Sequence, residues 1–145
     1  MLFRSGLVGA LRQAIDDELG SAFDGVAWQV EPEAEQQAQT IPSLTAEVLF
    51  YAAREAIRNA ARYGRDTDKA LPLHLCIGVA WRDGLEITIE DDGVGVDAVQ
   101  KSSTSSGQGL ALHTTMMAVV GGTLAVESAP EKYTRVTLAL AQGVW

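Results

Sequence analysis

Three segments have residue types and spacings that could do chemistry: Glu55-Ala-Ile-Arg-Asn59, Asp92-Gly-Val-Gly95 and Gly107-Gln-Gly-Leu110. Four residues apart on a helix, Glu55 and Asn59 share one face. A carboxamide oxygen there is a hard ligand suited to Mg²⁺, which takes few protein ligands and shares its shell with phosphates and water. A glutamate one turn earlier could orient or deprotonate a water, or tune the metal's surroundings. The same stripe also fits a solvated face with Arg58 and Arg62 as ion-pair partners. Asp92 opens a glycine turn directly after the alternating strand Leu85-Glu-Ile-Thr-Ile-Glu90. A carboxylate fixed at a strand end can accept a hydrogen bond from an exocyclic amine such as adenine N6, and the glycines let the backbone approach the base. Guanine would set a carbonyl against it. An ordinary Asp-Gly turn is the other reading, although no alternating strand follows Gly95 at hairpin distance. Gly107 and Gly109 open a helix, where free N–H groups and the helix dipole seat a phosphate; a glycine hinge in a flexible loop fits them too. The pattern is neither the Rossmann fingerprint, which needs a preceding strand and a third glycine, nor a Walker loop, which needs Gly-Lys-Ser/Thr.

The elements that must position these residues follow from periodicity. Leu7, Val8, Leu11, Ile15 and Leu19 predict a helix over 7–19, and Val26–Val30 a short strand. Residues 31–42, polar and bounded by prolines, read as a loop. Ser43 or Thr45 caps a helix that runs to about Tyr63, where Gly64 stops it. Leu73–Trp81 and Leu85–Glu90 are strands joined through Arg82-Asp83-Gly84, a hairpin signal. The Ser/Thr/Gly-rich stretch at about 96–108 is too long and polar for a tight connection and reads as a lid. A helix over 110–120, ending at Gly121-Gly122, and strands over 123–128 and 134–141 complete the chain. The order predicts one domain over 1–145: an α/β (α+β) sandwich whose mixed, mostly antiparallel sheet is covered on one face by helices.

The 145 residues carry a formal net charge of −8, with 47% hydrophobic and 21% charged residues, ordinary for a globular domain that needs no disulfide. With 11 Lys and Arg against 19 acids and no basic run, nucleic-acid binding is disfavoured. A small anionic ligand remains compatible, because backbone N–H groups and a metal can hold phosphates. No apolar run reaches the length of about 20 residues that spans a bilayer, so a cytoplasmic domain without membrane contact of its own is expected, including as the cytosolic part of a receptor. The single cysteine, Cys76, reads as a buried core thiol, and His74 and His113 as structural residues.

The order and spacing of the three segments resemble the ATP-binding catalytic domain of sensor histidine kinases, in the superfamily shared with DNA gyrase, heat-shock chaperone ATPases and mismatch-repair proteins. Glu55-x-x-x-Asn59 with Arg62-Tyr63 is similar to the family's asparagine box. Asp92-Gly-Val-Gly95 is similar to its aspartate–glycine box, with Asp92 as the aspartate, and Gly107-x-Gly109-Leu110 to its second glycine box. Gly121–Ser128 and Thr134–Leu138 are similar to its closing strand pair, except that Tyr133 stands where the family usually has glycine. The resemblance implies ATP and Mg²⁺ as cofactors, with Glu55 and Asn59 catalytic and Asn59 the metal ligand. It implies Asp92 at the adenine amine, with Gly93, Gly95 and Val96 beside the base. Arg62, Tyr63, Gly107, Gly109 and Leu110 would lie near the phosphates, and Thr134 would support the adenine-side carboxylate. The implied activity is transfer of the γ-phosphate to a histidine on a separate phosphoacceptor domain, and onward to a response regulator, with weak turnover when that domain is absent. No segment here has the setting of that histidine domain. A stand-alone anti-sigma-factor-like serine kinase, or a non-catalytic interaction domain of the same fold, is the alternative.

Overall fold

A computed structural model describes residues 6–63, 72–93, 105–129 and 132–143. Five strands form one sheet in the order β1-β2-β3-β5-β4: β1 (Gly25–Val30), β2 (His74–Trp81), β3 (Gly84–Asp91), β4 (Gly122–Ala129) and β5 (Tyr133–Ala141). β1 pairs with β2 in parallel and the other three pairs are antiparallel. The helices are α1 (Gly6–Ala14), α2 (Pro32–Ala38), α3 (Ser43–Tyr63) and α4 (Ser105–Val119). The expected class, a mixed and mostly antiparallel sheet with helices on one face, is the observed one.

Strand alternation decides which face is covered. Leu75, Ile77 and Val79 on β2, Leu85, Ile87 and Ile89 on β3, and Val136, Leu138 and Leu140 on β5 are all buried. They meet Leu7 and Leu11 of α1 and Leu49, Ala53, Ala56 and Ile57 of α3 in one core cluster. Each Leu or Ile removed from water contributes roughly 1.5–3 kcal/mol. Val26, Trp28 and Val30 add β1 to this face, and the Arg12 guanidinium of α1 lies 4.5 Å from the centre of the Trp28 ring. The intervening residues, among them Gly78, Thr88, Glu90 and Arg135, form an open face that is only half-buried.

Several boundaries differ from the sequence reading. The first helix is α-helical only to Ala14 and continues as a π-helical turn over Ile15–Leu19 and a 3₁₀ turn over Gly20–Ala22. The stretch 31–42, read as a loop, contains α2. Pro32 occupies its first turn, where no N–H is needed, and Ala34 and Ala38, one turn apart, are buried. Two glutamates and two glutamines in the same seven residues hide that apolar pair. Cys76 is half-buried on the open face rather than a core thiol; burial and the nearby Glu90 push its thiol pKa up. The hairpin at Asp83-Gly84 is as expected: Asp83 has φ 55° and Gly84 φ 152°, and a Cβ on Gly84 would collide with the Leu140 carbonyl oxygen. Gly121, at φ 83°, ends α4 in the left-handed conformation that favours glycine. Among the described residues no helix is long and apolar enough to cross a membrane.

Candidate functional site

Helix α3 presents Glu55 and Asn59, both half-buried, one turn apart beyond the buried Val48 and Ala52. The Asn59 Nδ2 is buried and has no hydrogen-bond partner among the described residues. Such a group costs free energy unless something outside the described chain meets it. Arg62, near the end of α3, is exposed, and Tyr63 is its last residue. Against α3 packs α4, whose first turns carry Gly107, Gly109 and Leu110. The helix therefore begins at Ser105, earlier than the pattern from Leu110 suggests, and both glycines lie inside it. Two of the three segments thus stand on adjoining helices. The rest of the expected lid, 96–104, lies outside the described residues, as do Gly95 and Val96.

His113, one turn beyond Gly109 on α4, is half-buried, and its Nδ1 is buried without a partner among the described residues. Burial holds its imidazole pKa below the usual value, while the Glu55 carboxylate across the helix seam acts in the opposite direction. Two buried, unpartnered nitrogens on neighbouring helices fit a polar ligand at this seam better than a finished core. Among the described residues no group of three or more His, Cys, Asp or Glu side chains could hold a metal ion. A Mg²⁺ held through the Asn59 carboxamide would take its other ligands from phosphate and water, as that ion prefers.

The end of β3 separates two adjacent carboxylates. Asp91 follows Leu85, Ile87 and Ile89 onto the covered face, where it is 5% exposed. Its Oδ1 accepts from the Gly93 N–H at 2.9 Å, among the described residues the only hydrogen bond to this carboxylate. Burial is the main cause that pushes its pKa up to about 6, with Asp92 and Glu90 adding to it and the Gly93 bond opposing it. Thr134 stands directly opposite Asp91 in the β3–β5 ladder and so on the same face. Asp92 turns the other way. Its Oδ1 accepts from the His74 N–H at 2.6 Å and its Oδ2 lies 2.8 Å from His74 Nδ1, with both side chains about half exposed.

Asp92 and Thr134 therefore do not share a face. The buried, acceptor-rich group beside Thr134 is Asp91, and the strand's period of two gives the reason: Asp91 is in phase with the buried isoleucines and Asp92 is not. The signal was present in the sequence, because Asp91, Gly93 and Gly95 have the Asp-x-Gly-x-Gly spacing. Tyr133 does not crowd that side either. Its ring lies 5.2 Å from the Arg135 guanidinium, and both belong to the open face.

Solved structures share this fold. The histidine kinase domain of the blue-light activated histidine kinase EL346 from Erythrobacter litoralis superposes with a TM-score of 0.69 at 20% identity, over 93% of this chain and 60% of that one. The Acinetobacter baumannii histidine kinase AdeS gives 0.63 at 19% identity, over 94% of this chain and 64% of that one. The chain thus spans less than two thirds of the length of either. No curated protein matches it. Residues 45–143, from the start of α3 to the end of the sheet, match the family of histidine kinase-, DNA gyrase B-, and HSP90-like ATPases, and the chain belongs to that family.

Proposed function

We propose that this domain binds ATP with Mg²⁺ and serves as the catalytic domain of a two-component sensor histidine kinase, phosphorylating a histidine on a separate phosphoacceptor domain that then supplies a response regulator. The observation that carries the reading is Asp91: a buried carboxylate at a strand end, with one N–H partner among the described residues, in a chain of an ATPase family. An adenine N6 amine would supply a further donor to this carboxylate, and guanine would not. Thr134, opposite it, would support it from the neighbouring strand. This reading moves the base-recognition role from Asp92 to Asp91 and keeps Gly93 and Gly95 as the close-approach glycines.

Asn59 would hold Mg²⁺, which neutralises charge on the phosphates during transfer. Glu55, one turn earlier, would orient the incoming nucleophile. The start of α4 would offer its free backbone N–H groups, that of Gly107 among them, and its positive helix end to the phosphates, with Gly109 and Leu110 one turn further on and Arg62 and Tyr63 near them. Catalysis would rest on positioning and charge neutralisation. Leu112, Met116 and Val119, exposed in one row of α4, suit contact with an apolar helix of the phosphoacceptor domain.

Calorimetric titration with ATP and GTP, with and without Mg²⁺, tests the binding reading. Adenine-selective, Mg²⁺-assisted binding that is about 30-fold weaker in Asp91→Asn supports it, and absence of binding in every condition overturns it. Radiolabel transfer to an added phosphoacceptor domain tests the kinase step: Asn59→Ala should abolish it, and full transfer by that variant removes the assignment of Asn59.

A further inference from the structure

His74 has no role in the nucleotide reading above, yet it makes three contacts with Asp92, the neighbour of Asp91. Its backbone N–H donates to Asp92 Oδ1 at 2.6 Å, and its carbonyl accepts from the Asp92 N–H at 3.2 Å. Its ring Nδ1 lies 2.8 Å from Asp92 Oδ2. Residue 92 is thereby held at three atoms by the first residue of β2, just past the last ladder pair, Leu75 with Asp91. A surface ion pair of this exposure adds little to global stability. Its geometric effect is larger. With Asp92 fixed on the open face, the preceding residue must point to the covered face, and the next amide, that of Gly93, is left facing the Asp91 carboxylate at 2.9 Å.

We propose that His74 is a positioning residue for nucleotide recognition: through its ring contact with Asp92 it locks the β3-end turn, so that Asp91 is presented to the base. The inference rests on the reading of Asp91 as the adenine-binding carboxylate. Asp92 is then a strut between two strands and not a ligand. Asparagine at position 74 can place its Nδ2 where the imidazole Nδ1 stands, so His74→Asn should retain the lock and His74→Ala should lose it.

The test uses the full chain, with amide exchange followed by NMR and ATP binding by calorimetry, and tripolyphosphate as the probe for the phosphate subsite. In His74→Ala the Gly93 amide should exchange about tenfold faster, and ATP should bind about fivefold more weakly, the effect of one lost hydrogen bond. Tripolyphosphate binding should not change, and the melting temperature should move by less than about 2 °C. His74→Asn should restore both exchange and ATP affinity. Wild-type ATP affinity in His74→Ala, or equal weakening of ATP and tripolyphosphate, overturns the proposal. If Asp91→Asn binds ATP as the wild type does, the reading of Asp91 fails and this proposal with it; the exchange data then still report whether the turn was locked.

Discussion

The two faces of the sheet are built from the same strands and do opposite work. On β3, Ile87 and Ile89 are buried under α3, while the alternate residues Thr88 and Glu90 lie on the open face. The alternation continues beyond the apolar stretch into the acidic end, where Asp91 is enclosed and Asp92 is half exposed. A carboxylate's chemistry is set here by parity alone. One residue of displacement turns a desolvated acceptor with a raised pKa into a surface partner for a histidine.

Core substitutions should break the comparison hardest. Ile87→Ala leaves a cavity in a fully enclosed position and should cost about 3–4 kcal/mol. Thr88→Ala, one residue away on the open face, should cost about 0.5 kcal/mol. Urea unfolding curves with unchanged slope measure both, and equal costs would mean that the open face is also a packed face. Next in size is the acidic pair. Asp91→Asn should weaken ATP binding by about 30-fold, the loss of a hydrogen bond to a charged group. Asp92→Asn keeps an acceptor for the His74 N–H and should stay within about threefold. Calorimetry on the two variants separates them, and the reverse order would return the adenine role to Asp92.

Much of this was legible beforehand, and the misses have physical causes. Strand and helix positions followed from apolar periodicity, because the open face is polar enough to leave the pattern clean in Leu85–Glu90. Spacing singles out Asn59 and the glycines 107 and 109, and the fold puts these two segments on adjoining helices. The Asp-Gly dipeptide singles out Asp92, whereas the phase of Ile87 and Ile89 puts Asp91, not Asp92, on the covered face. Helix α2 was missed because two buried alanines carry little apolar signal among glutamates and glutamines. The parallel pairing of β1 with β2 has no local signature at all. It follows from the long crossover through α2 and α3.

The enclosed carboxylate should also reveal itself through pH. Asp91 has an ordinary pKa of 3.8 and a folded value of about 6, so between those values the folded state binds more protons than the unfolded one. In the free protein its contribution therefore falls as pH rises through that window, by about 3 kcal/mol in total. Nucleotide binding runs the opposite way. The ionised carboxylate is the form that accepts from an amine, so below pH 6 binding must release a proton. Between pH 7 and pH 5 the ATP dissociation constant should rise about tenfold. Calorimetry across that range checks this, with Asp91→Asn as the control: the slope should vanish there. A slope that persists would assign the proton to another group.

The smallest expected effect lies on the open face. Arg135 Nε donates to Glu90 Oε1 at 2.6 Å and Arg135 Nη1 to Glu127 Oε1 at 3.2 Å, tying β5 to strands on both sides. The two carboxylates hold the guanidinium pKa above its usual value. All three side chains are at least one third exposed, so water competes for every partner. A double-mutant cycle on Arg135→Gln and Glu90→Gln should give a coupling of about 0.5 kcal/mol, weakened further in 1 M salt, at roughly which concentration the screening length shrinks to about 3 Å. A coupling above about 1.5 kcal/mol that ignores salt would be the behaviour of a desolvated pair. It would mean that something covers this face in solution, and that the contrast between the two faces belongs to the isolated chain alone.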